Sequence, residues 1–163
     1  MTVIVDVQYA QEELPEGEAE IPPPSEFEKW VAAALSKRRE SGELTIRVVG
    51  TTEGSALNEA FRHRNGPTNV LAFPMDSSPE LELPLLGDLV ICAPLVLREA
   101  CEQHKAPLAH WAHLTVHGTL HLLGYDHDEP GEAQIMEDME AEILADLGYP
   151  DPYAGEKEAL AVP

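Results

Sequence analysis

A chain of 163 residues with 44% hydrophobic content suits a single domain, one that buries roughly 70% of the surface its unfolded form exposes. Thirty acidic residues against ten basic ones give a formal charge of −20, which excludes a broad nucleic-acid-coating surface of the usual basic kind. No apolar run approaches the roughly 18 residues of a membrane span, and the charged stretch near the start argues against a secretory leader. These features predict a cytoplasmic protein with no membrane partner. Two cysteines, Cys92 and Cys101, form no disulfide framework and are read as buried thiols used as small apolar groups. The acidic excess concentrates in Glu12 to Glu28 and Asp126 to Glu142, runs that normally form solvated faces or loops. Lys37, Arg38 and Arg39 cluster at one helix end, and Arg62, His63 and Arg64 at another. Any contact with RNA must therefore be local or arranged with a partner's help.

Thr2 to Gln8 alternates apolar and polar residues and predicts a strand, followed by a Pro, Glu and Gly-rich loop over 10 to 24. Ser25 can cap a helix to about Ser41, with Phe27, Trp30, Val31, Ala34 and Leu35 at helical spacing and Gly42 as its stop. Leu44 to Val49 is a second strand. A helix from Thr51 or Thr52 to about Arg64 ends at Asn65-Gly66-Pro67. Val70 to Phe73 is a short strand, Pro74 to Pro84 a mobile loop, and Leu85 to Cys92 another strand with Asp88 in its middle. Pro94 opens a helix to about His104, and Pro107 suits the first position of a helix to Leu123. A last helix spans about Glu132 to Leu147 and ends at Gly148. The mixture predicts an α+β fold, a small mixed sheet with helices packed on it, in one domain over 1–153 with a disordered tail over 154–163. The oligomeric state is not legible.

Six of the seven histidines fall between 104 and 127. On the 107–123 helix His110, His113, His117 and His121 form one stripe, and not all can bind one ion. His104 and His110 are read as ordinary hydrogen-bonded core or surface residues, while His113 can support the site from one turn away. His117 and His121, four apart, project from one helix face. Gly124 can end the helix in the left-handed conformation, so the chain turns back and His127 can complete a set of three imidazoles. Offsets of zero, four and ten with glycine at seven match the HExxHxxGxxH zinc spacing, and three nitrogens with an open fourth position describe a catalytic zinc site. Zinc is the first choice, although nickel or copper can occupy such a set in vitro.

Gly118 stands where that motif has its glutamate, the general base of the peptidases. Losing a general base removes about 10²- to 10⁴-fold in rate. The site thus suits a reaction needing charge neutralisation more than a positioned base. Phosphodiester cleavage is one, with a nearby arginine gripping the phosphate. Arg62 is the candidate, although on sequence alone a solvated cation at a helix C-terminus is the commoner reading. A metallopeptidase remains the alternative; against it stand Gly118 and the lack of a clear downstream Met-turn, since Met136 and Met139 fall within the last helix. A third reading is a ribosome-associated factor whose zinc only stabilises the fold.

The segments LNEAFR (57–62), PTNVLAFP (67–74), LLGDLVIC (85–92), WAHLTVHGTLHLLGYDH (111–127) and LGYPDPY (147–153) together resemble the YbeY family, bacterial single-strand-specific endoribonucleases that mature ribosomal RNA. The blocks occur in the family's order and span about residues 44 to 153. The resemblance implies a zincin-like fold, one zinc ion on His117, His121 and His127, and a catalytic role for Arg62 and for His117. It also implies processing of ribosomal RNA precursors, notably at the 3′ end of 16S rRNA, a part in late ribosome quality control, and contacts with the ribosome and small-subunit proteins. Asp126 has a simpler role open to it, bonding backbone amides in the turn after Gly124. Asp88, if buried, needs a partner, and a structural one is favoured over orienting a zinc-bound histidine.

Overall fold

The computed structural model describes residues 2–10, 12, 14, 21–63, 66, 68–75, 85–126 and 129–154. Strand β1 (Thr2–Tyr9) leads to helix α1 (Pro24–Leu35), strand β2 (Ser41–Val49) and helix α2 (Thr51–Arg62). Strands β3 (Val70–Pro74) and β4 (Leu85–Cys92) precede helices α3 (Ala93–Glu102), α4 (Pro107–Leu122) and α5 (Pro130–Asp146). The four strands form one mixed sheet in the order β1-β2-β4-β3, with β1, β2 and β4 parallel and β3 antiparallel along the edge of β4. This is the small mixed sheet with packed helices that the sequence predicts.

Alternation along the strands divides the core in two. Leu44, Ile46, Val48, Leu89 and Ile91 face α1, α4 and α5, where Phe27 meets Trp30 and Trp111 edge-on at 5.4 and 5.9 Å. Val49, Leu71, Val90 and Cys92 face the opposite way, with Leu57 of α2 and Leu95 of α3. Phe61 of α2 meets Phe73 of β3 edge-on at 5.2 Å on that second side. The sheet thus separates α2 from α4. Among the described residues no helix is long and apolar enough to cross a membrane.

Several elements depart from the expectation. Helix α1 stops at Leu35, with Lys37 in the left-handed region at φ 69°, instead of reaching Ser41. Ser41 and Gly42 pair with Thr2 and Val3 of β1, so sheet hydrogen bonds replace a last helical turn. Gly42 is consequently a buried strand residue: a Cβ there would lie 2.7 Å from Leu35 Cδ1. Helix α2 ends at Arg62, where His63 caps it at φ 56°. Asp88 is exposed rather than buried, which removes the need for a buried partner. Cys92 is buried, its Sγ donating to Gly50 O over 3.7 Å, but Cys101 is exposed. The loop segment 76–84 and the tail residues 155–163 lie outside the described residues, as do Arg64 and His127.

Candidate metal centre

Helix α4 carries its histidines on the side away from the sheet because the sheet side has no room. A Cβ added at Gly118 would lie 2.8 Å from Leu89 Cδ2 and 3.3 Å from Val70 Cγ2. A glutamate at position 118 would therefore require the Leu89 side chain, packed in the core, to shift. Thr115 and Thr119 are also buried, and their hydroxyls donate to the carbonyls of Trp111 and Thr115, one turn back, at 2.8 and 2.7 Å. Beyond Leu122 the amide of Gly124 donates to His121 O at 3.0 Å and that of Tyr125 to Leu120 O at 3.1 Å. With Gly124 at φ 102° this is the paired 5→2 and 6→1 helix ending that glycine favours, as the spacing predicts.

The outward face brings His117 and His121 together, with Nε2 atoms 3.1 Å apart. Behind them stands Glu140 of α5, 1% exposed. His117 Nδ1 donates to Glu140 Oε1 at 3.0 Å, His113 Nε2 to the same oxygen at 2.8 Å, and Tyr153 OH lies 3.2 Å from each carboxylate oxygen. Burial pushes the Glu140 carboxyl up, but the hydrogen bonds and charges of His113 and His117 outweigh it and hold its pKa at about 2. Burial pushes the His113 imidazole down, so His113 serves as a neutral donor. With His117 Nδ1–H held by a carboxylate, the lone pair of its Nε2 points away from Glu140 and toward His121.

Two facing imidazole nitrogens at 3.1 Å share either a proton or a cation, since bare lone pairs at that distance repel. Tetrahedral zinc with bonds of about 2.0–2.1 Å sets its nitrogen ligands about 3.3–3.4 Å apart, so the pair fits a common ion closely. A carboxylate behind a ligating histidine fixes its tautomer and raises its basicity. Among the described residues no three His, Cys, Asp or Glu side chains form a metal-binding group. The third expected ligand, His127, lies outside them.

Arg62 is exposed at the end of α2 and has no described hydrogen bond or ion pair to the histidines. His110 is buried and bonded through Nε2 to Glu99 Oε1 at 2.9 Å, the structural role expected of it. His104 is exposed at φ 55°, and Asp126 is exposed just past the turn.

Sequence reasoning missed Glu140 and Tyr153. The signal for Glu140 was present: Met136, Glu140, Ile143 and Leu144 recur at helical spacing, one carboxylate in an apolar stripe. Tyr153 carries no such pattern. Lys105 Nζ donates to Pro152 O at 3.0 Å and Tyr153 N to Asp151 Oδ1 at 2.8 Å, bonds that bring the phenol to Glu140.

The profile of the family described as Endoribonuclease YbeY matches residues 14–148, most of the chain. The chain belongs to the YbeY family. An Endoribonuclease YbeY of Nitrosococcus oceani is 53% identical over 155 residues, covering 94% of this chain and 98% of the relative. This YbeY chain also resembles the solution structure of TM1509 from Thermotoga maritima, with a TM-score of 0.59 and 21% identity, over 99% of this chain and 94% of the other. At that identity the likeness concerns the fold alone. Membership makes the protein one of a family of RNA-cleaving hydrolases.

Proposed function

We propose that this chain is a zinc-dependent, single-strand-specific endoribonuclease with one ion on His117, His121 and His127. The observation that carries the reading is the pair of Nε2 atoms 3.1 Å apart with Glu140 fixed behind one of them. Zinc in such a set supplies charge neutralisation and Lewis acidity at a phosphoryl oxygen. The chain's own groups prepare for this. Glu140 holds the proton of His117 on Nδ1, Tyr153 and His113 hold Glu140, and the turn at Gly124 aims the chain so that His127 can return. We assign Arg62 to the phosphate, where a guanidinium can make bidentate contacts that strengthen as charge develops.

The substrates we infer are ribosomal RNA precursors, notably the 3′ end of 16S rRNA, with action in late ribosome quality control in the cytoplasm. Ribosomal and small-subunit proteins would supply much of the affinity that a chain of charge −20 lacks. Residues 1–153 are proposed as one zincin-like catalytic domain, with 154–163 as a disordered tail. The metallopeptidase reading loses support at Gly118, which has no carboxylate to act as general base and packs against Leu89 and Val70.

Incubating zinc-loaded wild type, His121→Ala and Arg62→Ala with precursor RNA and with casein tests the proposal. RNA cleavage by wild type should vanish in His121→Ala and fall about 10²- to 10³-fold in folded Arg62→Ala, as when one transition-state donor is removed. Casein cleavage would instead establish the peptidase. A wild type inactive on both substrates that unfolds when stripped of zinc would leave the ion a structural role.

A further inference from the structure

The amino-terminal ends of β1 and β2 and the carboxy-terminal ends of α1 and α4 meet around a groove of about 1270 Å³. Lys37, Arg38, Arg39 and Glu40 line it together with Leu123 and Tyr125. Three of the chain's ten basic residues are thus gathered in one concavity of a protein that is otherwise strongly acidic. Leu123 lies two residues beyond His121, so the groove opens at the end of the helix that carries the metal candidates.

We propose that this groove binds single-stranded RNA, with phosphates on Lys37 and Arg39 and a base stacked on Tyr125. The inference rests on the nuclease reading of the neighbouring histidines and extends it to how an acidic enzyme holds its strand. Helix carboxy-termini carry partial negative charge and by themselves repel phosphate. At α1 that charge is covered: Arg38 Nη1 donates to Ser36 O at 3.0 Å and Ala34 O at 3.4 Å. Arg38 therefore closes the helix, and the other two cations lining the groove are its neighbours Lys37 and Arg39. Tyr125 is 37% exposed, while its amide is anchored on Leu120 O at 3.1 Å, so the backbone that carries the ring is fixed. Cations along a groove with an aromatic platform are the usual means of holding a single strand without reading its sequence. An acidic peptide could use the cations but would gain nothing from a platform for a planar base.

The test is fluorescence anisotropy of the zinc-loaded protein with a 2′-O-methyl RNA strand of about twelve nucleotides, within the span single-strand binders cover. Lys37→Ala/Arg39→Ala should weaken binding about tenfold and flatten the salt dependence by roughly 1.4 logarithmic units per decade, about 0.7 for each phosphate no longer neutralised. Tyr125→Ala should weaken it by about another tenfold, and Tyr125→Phe should retain wild-type affinity, because stacking needs the ring and not the hydroxyl. Lys29→Ala/Arg98→Ala removes the same charge from exposed positions outside the groove and should leave affinity unchanged. Groove variants no weaker than this control would overturn the inference. So would binding of polyglutamate in place of RNA, which would identify the occupant as an acidic peptide. If wild type cuts RNA while the groove variants bind and cut it equally well, the groove proposal fails and the nuclease reading stands. If the strand binds through the groove and no RNA is cut, the groove stands and the nuclease reading fails.

Discussion

Helix α4 meets a glutamate from each of two neighbouring helices, and the two hold their histidines for different ends. Glu140 is 1% exposed, and a single oxygen of it takes both His113 and His117, with Tyr153 bridging the carboxylate. Glu99 keeps 26% side-chain exposure, takes His110 at 2.9 Å and Asn69 at 3.1 Å, and ties α3 to α4 and to the start of β3. Burial pushes Glu99 up, but the His110 and Asn69 bonds outweigh it and leave it below the usual carboxylate range. His110 uses Nε2 on Glu99, and its Nδ1 is buried, with no hydrogen-bond partner among the described residues. His117 uses Nδ1 and keeps Nε2 for His121. The same pairing of histidine with glutamate thus gives a tether in one place and, in the other, a clamp that leaves His117 Nε2 facing His121. Which ring nitrogen the carboxylate takes makes the difference.

Removing Glu140 should break this contrast most severely. Glu140→Ala strands two histidine donors and the Tyr153 hydroxyl, a loss of about 3–5 kcal/mol if it resembles other broken buried pairs. Zinc affinity should fall about 10- to 100-fold, read by competition with a chromophoric chelator. Unchanged affinity would reduce Glu140 to a tether like Glu99.

Acid comes next. The Glu140 pKa is about 2 in the folded chain against an ordinary 4.5, so its stabilisation is complete above about pH 4.5 and is lost as pH falls toward 2. The shift amounts to roughly 3 kcal/mol. His113, lowered by burial, acts in the same direction and begins nearer its ordinary 6.5, since the unfolded chain gains its proton first. Urea midpoints between about pH 7 and 3, with chelator present, should fall steeply below about pH 4.5 in wild type and much less in Glu140→Gln.

A smaller effect sharpens the contrast from the sheet side. Gly118→Ala forces a methyl group against Leu89 and Val70 and should cost about 1–3 kcal/mol by overpacking. Because it shifts the backbone between the two histidines, it should also weaken zinc binding. A purely local repacking would lower the melting midpoint and leave zinc affinity alone. The smallest change expected is that of Glu99→Gln, about 1 kcal/mol by denaturant titration, with zinc affinity unaltered.

Much of this was readable before folding was considered. The pair His117 and His121, the stop at Gly124 and the strand Leu85–Cys92 depend on local periods and on one glycine's backbone freedom, which act over a few residues. The end of α1 was misplaced because Lys37, Arg38 and Arg39 suit a last helical turn, whereas pairing of Ser41 and Gly42 with β1 draws on residues nearly forty positions away. Whether Asp88 in its apolar strand needed a buried partner was open from the sequence; it is the exposed position of β4.

Sequence alone therefore determined the family, the histidine spacing and the succession of strands and helices, since each is written in short-range patterns of side-chain type. Tertiary structure alone decided which carboxylate stands behind His117, what crowds position 118, and that the cations after α1 line a groove beside α4. Those are matters of which surfaces meet, and contacts between distant segments leave no fixed spacing along the chain.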